Sequence, residues 1–137
     1  MTIIKVTNDN NYIIEQQLLG HSAYICKAIE IRDNELISVA GDKTLKLWTL
    51  NNNKYECKNT ITSQNESGGY NILKLNENEF LISSLYDKLL RFWISNNYTN
   101  ISNINSIESD CYNELLCKLD DDILCVGGNN SNFILFN

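Results

Sequence analysis

Few residues in this chain could carry out proton transfer or nucleophilic chemistry. Histidine, whose pKa suits proton transfer near neutral pH, occurs once, at His21. A cysteine nucleophile would need that single imidazole as its base. Three of the five cysteines, Cys26, Cys117 and Cys125, lie in apolar runs, where cysteine is typical of a small core residue. We therefore expect no catalytic residues and no enzymatic activity.

Two further patterns could suggest ligand chemistry. The three aspartates at 120–122 supply carboxylates that hard cations prefer, but no matching run of ligands follows, which favours a solvated turn. The glycine pairs at 68–69 and 127–128 precede neither Lys-Ser/Thr nor a helical pattern, so they do not indicate phosphate loops. The sequence predicts no metal and no cofactor.

Charge and cysteine content restrict the partners and the compartment. The 137 residues carry a formal net charge of −6, and the eleven Lys and Arg form no basic run. This disfavours nucleic acid and anionic membranes as partners. Residues 1–7 lack the apolar stretch of a signal peptide, and no segment approaches the roughly 20 apolar residues of a membrane span. Five cysteines without a Cys-x-x-Cys pair predict reduced thiols and an intracellular protein, in the cytoplasm or nucleus.

The elements that position these residues are predicted to be strands. Short apolar blocks bounded by Asn, Asp and Gly indicate strands and turns rather than helices. The segment 36–48 repeats at 81–93, with the serines, aspartates and tryptophans of the two copies each 45 residues apart. A weaker third copy spans 123–136, in which Cys125 takes the serine position and Phe136 the tryptophan position. The chain is therefore predicted to consist of repeated β-units.

The first copy resembles a known repeat. Gly20-His21 precedes it, and Trp48 follows the histidine by 27 residues. Together with the spacing Ser–x3–Asp–x5–Trp, this pattern resembles the WD repeat, the unit of one family of β-propellers. The resemblance implies a hydrogen-bonded network that joins Trp48, Ser38, His21 and Asp42, in which the histidine is structural.

In the second copy the resemblance implies corresponding roles for Ser83, Asp87 and Trp93. Glu66 stands where the histidine is expected, so this network should be incomplete or filled by water. We therefore expect Asp87→Ala to cost under roughly 1 kcal/mol, against about 1–3 kcal/mol for Asp42→Ala.

The fold implied by the resemblance is all-β, with β-propeller blades of four antiparallel strands in an incomplete propeller. A single propeller segment would hold the last two strands of one blade (1–19), two full blades (20–62 and 63–104) and three strands of a further blade (105–137). These blades are too few to close a ring. The remaining blades would come from the same longer chain, from a second copy or from another subunit.

Proteins of this family bind partners mostly on the face at the entrance to the innermost strands. Tyrosines at such a rim suit protein interfaces, because one ring offers a large contact area and a polar tip. Tyr70 or Tyr112 could equally begin a core strand. Carried over position by position, the candidate partner-binding residues are Tyr24, Cys26, Gly41, Gly69, Tyr70, Asn71, Tyr86, Tyr112, Glu114 and Asn129.

The resemblance implies a scaffold for protein–protein interaction that binds its partners on the propeller face. The alternative is a peptide-recognition subunit of a larger complex, and an acidic surface would suit basic peptides. A hypothesis from another class, a small all-β enzyme, would need a pocket with several converging ionisable groups, and the sequence shows none. The expected partners are other proteins or peptides, with no nucleic acid and no membrane.

Overall fold

The computed structural model describes residues 1–9, 11–62, 69–84, 87–96, 100–108, 113–120, 123–128 and 133–136. Regular structure in these residues is β-strand, as expected where β-branched and aromatic side chains recur between Asn- and Asp-rich turns. The predicted all-β class is confirmed. Among the described residues, no helix is long and apolar enough to cross a membrane.

The strands form four antiparallel sheets, in which strands that follow one another in the chain are hydrogen-bonded neighbours. β1 and β2 form a hairpin, β3–β6 form the first blade, β7–β10 the second blade and β11–β13 the third blade. The described strands are β1 Thr2–Val6, β2 Tyr12–Gln17, β3 Ile25–Arg32, β4 Glu35–Ala40, β5 Thr44–Asn51, β6 Lys54–Thr62, β7 Gly69–Lys74, β8 Glu79–Ser84, β9 Leu89–Asn96, β10 Asn100–Glu108, β11 Asn113–Asp120, β12 Ile123–Gly128 and β13 Phe133–Phe136.

Several turns contain residues in the left-handed backbone region. Asn52 and Asn53, with φ of 49° and 61°, connect β5 to β6 in a two-residue turn of the kind that matches strand twist, and asparagine tolerates this conformation. Lys43 and Lys88 occupy equivalent turns of the first and second blades with φ of 64° and 54°. The left-handed backbone conformation is unfavourable for lysine, so contacts with neighbouring groups must stabilise both turns.

Adjacent blades pack face to face through apolar side chains. Phe80 is fully buried between the first and second blades, and its ring stacks on Trp93 with the centroids 6.4 Å apart. Burial of each large side chain contributes about 1.5–3 kcal/mol, so these clusters hold the blades together. The cluster between the first two blades comprises Ile31, Ile37, Val39, Leu45, Leu47, Ile72, Phe80 and Ile82, and that between the second and third comprises Leu81, Leu90, Leu116 and Val126.

A polar contact also joins the first two blades. Arg32, at the end of β3, forms an ion pair with the buried Glu35 at 2.9 Å between Nε and Oε2. The same guanidinium donates through Nη2 to the carbonyl oxygen of Ser95 at 2.9 Å and to its hydroxyl at 2.8 Å. Burial raises the pKa of Glu35, and the charge of Arg32 offsets part of this rise. The arginine therefore links the β3–β4 turn to β9 of the next blade.

The strand register differs by one residue between the first and second blades. In the first blade Ser38 pairs with Lys46, and Leu36 pairs with Trp48. In the second blade Arg91, which lies 45 residues after Lys46, pairs with Ile82 instead of Ser83. Strand β8 is therefore displaced by one residue, and Ile82 stands where Ser38 stands in the first blade.

The turns before β4 and β8 explain the displacement. The carbonyl of Asn34 accepts a hydrogen bond from the amide of Leu50, and the carbonyl of Asn78 accepts one from the amide of Ser95. These turns lie 44 residues apart, although the serines lie 45 apart. Both faces of β8 are buried, so the alternation of side chains specifies its register weakly, and the turn sets it.

The β1–β2 hairpin contacts the first blade through a glutamine. The side-chain amide of Gln16 donates to the carbonyl of Tyr55 at 2.7 Å, and its oxygen accepts from the amide of Tyr55 at 2.8 Å. Leu18, just after β2, is buried. The hairpin is otherwise open, with Ile4, Val6, Tyr12 and Ile14 exposed on paired positions of its two strands.

Candidate functional site

A hydrogen-bonded network ties the loop after β2 to strands β4 and β5. Trp48 Nε1 donates to Ser38 Oγ at 2.8 Å, and that oxygen lies 2.7 Å from His21 Nε2. His21 Nδ1 lies 3.0 Å from Asp42 Oδ2. Gly20, beside the Trp48 ring, has a φ of 149°, a backbone conformation that residues with side chains rarely adopt. The structure thus brings together the four residues that the resemblance implied for the first copy.

Asp42 organises the turn between β4 and β5. Its carboxylate accepts hydrogen bonds from the amides of Ser22 at 2.8 Å and Thr44 at 3.0 Å, and from the Thr44 hydroxyl at 2.7 Å. These bonds stabilise the left-handed Lys43 between them. Burial would raise the pKa of Asp42, but the hydrogen bonds from Thr44, Ser22 and His21 outweigh it and hold the pKa well below its usual value.

This lowered pKa predicts an acid-dependent loss of stability. The ionised Asp42 stabilises the folded state above the ordinary pKa of 3.8, and this contribution is lost as the pH falls below that value toward the lowered pKa. We expect Asp42→Asn to flatten the fall in unfolding free energy, measured by urea denaturation from about pH 6 to about pH 2. Glu30→Gln, at an exposed position of β3, is the matched control. An equally steep fall in Asp42→Asn and wild type would contradict the assignment.

The second blade does not reproduce the network. Ser83 points toward the third blade, on the opposite face of β8 from Trp93, because of the one-residue displacement. The hydroxyl of Ser83 and Nε1 of Trp93 are both buried, and neither has a hydrogen-bond partner among the described residues. The grouping of Ser83 with Trp93 expected from the repeat is therefore wrong. Glu66 lies outside the described residues.

Asp87 has a different partner from that of Asp42. Arg91 binds both carboxylate oxygens of Asp87, through Nη1 to Oδ1 at 3.2 Å and through Nη2 to Oδ2. Asp87 also accepts from the amide of Leu89 at 3.1 Å, which stabilises the left-handed Lys88. Arg91 corresponds in sequence to Lys46, which binds the Thr60 hydroxyl at 2.8 Å instead. An arginine thus takes over the histidine's contact with the turn aspartate.

The third blade repeats the one-residue displacement. Val126 faces the second blade, and Ser38 in the first blade faces the side of the β1–β2 hairpin, so both point toward the preceding sheet. Val126 pairs with Leu116 on β11, and Ser38 pairs with Ala28 on β3. Cys125 therefore does not take the serine position, and that assignment is corrected. Leu124 pairs with Phe136 as Leu36 pairs with Trp48, so the register gives Phe136 the tryptophan position.

Tyr24 and Gly41 form an exposed patch on what we call the loop face, which comprises residues 18–24 and the turn 41–43. The amide of Gly41 donates to the carbonyl of Tyr24 at 2.9 Å. A Cβ on Gly41 would lie 2.7 Å from the Tyr24 ring, so only glycine lets the ring lie over the turn. Tyr24 remains 67% exposed. Asp42, in the turn, bonds His21 and the amide of Ser22, and so joins the two segments of the loop face.

Other positions expected on the binding face are less accessible. Cys26 packs against the first apolar cluster, and a Cβ on Gly69 would lie 2.9 Å from Val39, so both lie within the contact between blades. Asn71 is half-buried and accepts a hydrogen bond from Lys27 Nζ at 2.7 Å. These three positions are therefore only partly accessible, and their role in partner binding stays a prediction. Tyr86, Tyr112 and Asn129 lie outside the described residues, as do the side chains of Tyr70 and Glu114.

Sequence patterns missed several contacts. Lys27, Arg32 and Arg91 each link strands through a polar end group, but a single basic residue within a strand usually indicates only a solvated face. Lys43 and Arg91 also border a small cleft of about 30 Å³ between the first two blades, near Trp93. A cleft of this size holds about one water molecule. Within the described residues, no group of three or more His, Cys, Asp or Glu side chains could hold a metal ion.

Comparisons with known proteins agree with this architecture. A family model described as the tRNA methyltransferase TRM82 WD40 domain matches residues 3–114. A protein from Lactobacillus plantarum is similar over 99% of this chain and 50% of its own, with a TM-score of 0.73 and 9% identity. The WD40 β-propeller domain of Doa1 is similar over 99% of this chain and 60% of its own, with a TM-score of 0.50 and 14% identity. The chain thus spans between half and three fifths of these relatives. No curated protein sequence matches the chain.

Proposed function

Because the chain belongs to the WD-repeat β-propeller family, in the group described as the tRNA methyltransferase TRM82 WD40 domain, we propose that it is a non-catalytic scaffold that binds a methyltransferase polypeptide on its loop face. Propellers of this family serve generally as protein-interaction scaffolds. The family description names a methyltransferase, and the properties of this chain favour a supporting role over a catalytic one. We expect the assembly to be intracellular, in the cytoplasm or nucleus, as the cysteine content predicts.

Tyr24 carries the proposal. Its ring is largely exposed, yet its backbone is bonded to Gly41 and its position is fixed by the turn beneath it. An ordered backbone reduces the entropy lost on binding, and tyrosines are frequent among residues that dominate interface energies. Leu19, on the same loop, is also exposed and adds apolar area. The loop face thus has the properties of a protein-binding surface.

The contacts of His21 and the net charge of the chain both support a non-catalytic role for this chain and a catalytic role for its partner. His21 Nε2 contacts Ser38 Oγ, but this hydroxyl is fully buried and accepts a hydrogen bond from Trp48 Nε1, so the imidazole faces no accessible nucleophile or substrate. The net charge of −6 repels the phosphates of tRNA. In the proposed assembly, tRNA binding and methyl transfer therefore belong to the partner. The remaining blades would come from a longer form of this chain, a second copy or another subunit.

Affinity capture of the tagged chain from the cells that produce it, quantified by mass spectrometry, tests the proposal. We expect a methyltransferase polypeptide to be enriched, and its recovery to fall at least about tenfold for Tyr24→Ser, the loss typical of a dominant interface residue. Lys54→Ala, at the β5–β6 turn on the opposite end of the blade, should leave recovery unchanged.

Three results would contradict the proposal. Methyl transfer by the purified chain alone would overturn the non-catalytic role. Equal losses for Tyr24→Ser and Lys54→Ala would overturn the loop face as the binding surface. Enrichment of short basic peptides without a methyltransferase would favour a peptide-recognition subunit instead.

A further inference from the structure

Two cysteines lie directly opposite each other in the third blade. Cys117 on β11 and Cys125 on β12 are register partners in an antiparallel pair. The preceding pair, Leu116 and Val126, packs toward the second blade. Because side chains alternate along a strand, the cysteines project from the opposite face of the sheet. They occupy the place that Ile29 and Ile37 hold in the first blade.

In the isolated chain, this face of the third blade, on which a further blade would pack, is open at β11. Leu115, two residues before Cys117 on the same face, is 46% exposed, and Leu119, at the register shift that follows, is 60% exposed. Cys117 is half-buried and Cys125 is 8% exposed. Burial raises the pKa of the Cys125 thiol, and the adjacent Cys117 raises it further through its charge and a hydrogen bond between the two side chains. The two sulfur atoms are therefore neighbours, and a small molecule reaches Cys117 first.

The register suits a covalent bond between the two sulfur atoms. Directly opposed residues in antiparallel strands have Cα atoms about 4.5–5.5 Å apart, within the roughly 4.4–6.8 Å range of disulfides. Their Cβ atoms are about 4.5–5.5 Å apart, so the strands must approach slightly to reach the usual disulfide separation. Register shifts at 113–115 and 118–120 interrupt the pairing on both sides and give the strands room to adjust.

We propose that Cys117 and Cys125 form a dithiol modification site, which closes to an intramolecular disulfide by exchange with a small-molecule disulfide such as oxidised glutathione. The thiolate of Cys117 attacks one sulfur atom of the small disulfide, whose S–S bond breaks and releases one thiolate. The thiolate of Cys125 then attacks the Cys117 sulfur atom of the mixed disulfide and releases the second. Two electrons pass from the protein to the small disulfide, and two protons pass to the released thiolates or to solvent.

The test treats the reduced chain with oxidised glutathione in the absence of oxygen, followed by intact mass measurement and peptide mapping. We expect the mass to fall by two hydrogen atoms, with a peptide from β11 linked to one from β12. The exposed Cys57 should acquire only a glutathione adduct. Cys117→Ser and Cys125→Ser should each lose the cross-link, with a stable glutathione adduct at the remaining cysteine in Cys125→Ser.

Controls separate this site from the other cysteines. Cys57→Ser and Cys111→Ser should retain the cross-link, and the urea-denatured chain should form it more slowly, because the strands no longer hold the thiols together. Cys117→Ser, at the half-buried position, keeps the test valid if Cys125→Ser fails to fold. Glutathione adducts without a cross-link in the folded wild type, or a cross-link that persists in Cys117→Ser, would overturn the proposal.

Discussion

Ser38→Ala is expected to lower the free energy of unfolding by about 1–3 kcal/mol, whereas Ser83→Ala is expected to raise it by about 1 kcal/mol. Ser38 Oγ joins Trp48 Nε1 to His21 Nε2, so its removal leaves two polar groups without their partner. Ser83 Oγ is buried beside apolar side chains without a hydrogen-bond partner among the described residues. Its removal eliminates a desolvated hydroxyl.

Opposite changes in unfolding free energy for Ser38→Ala and Ser83→Ala are expected only if β8 has the displaced register. If Ser83 instead bonded Trp93, as the repeat in sequence implies, both alanine variants would be destabilised. Urea unfolding of the two variants and the wild type, under identical conditions, measures the difference. Ser84→Ala, at the next position of β8, is the control for a buried serine that has an interaction partner, and this variant should be destabilised. A loss of stability in Ser83→Ala would contradict the register.

Asp87→Ala is expected to cost about 3 kcal/mol, at least as much as the 1–3 kcal/mol or so expected for Asp42→Ala. The variant would leave the guanidinium of Arg91, whose side chain is 10% exposed, without its carboxylate. Removal of one partner from a largely buried ion pair is costly, because the remaining charge is poorly solvated. The turn would also lose the hydrogen bond that Asp87 accepts from Leu89.

This expectation reverses the order that the sequence implied for the two aspartates. Glu77→Ala, which removes the exposed partner of Lys74, should change the unfolding free energy by less than about 1 kcal/mol and serves as the control. Arg91→Met together with Asp87→Ala should recover part of the loss, because no buried charge then remains unpaired. A loss under roughly 1 kcal/mol in Asp87→Ala alone would show that Arg91 does not depend on it.

The sequence was sufficient for the fold class and for the network of the first blade. Alternating apolar blocks between Asn-rich turns indicated strands, and Gly20-His21 with Trp48 indicated the family. Both interpretations are confirmed by the architecture and the family match. Both signals depend only on residue types and on their local spacing along the chain. They therefore do not depend on how neighbouring strands are paired.

The equivalence of the second and third blades could not be predicted in the same way. A one-residue displacement of β8 or β12 turns every side chain of the strand to the opposite face. The spacing of Ser83 from Trp93 matched the first copy, but the preceding turn at Asn78 set a different register. The ion pair of Arg91 with Asp87 could not be predicted either, because a single basic residue within a strand usually indicates only a solvated face.

Gln16 also determines how copies of this chain can assemble. A sheet that ends in an unpaired strand offers free N–H and C=O groups on which another molecule can add a strand, the geometry that leads to fibrils. Both such groups of Tyr55 on β6 are occupied by the Gln16 side chain. The exposed charges of Lys54, Glu56 and Lys58 further disfavour an incoming strand on that edge. Edge-to-edge polymerisation is therefore disfavoured at the β6 edge of the first blade.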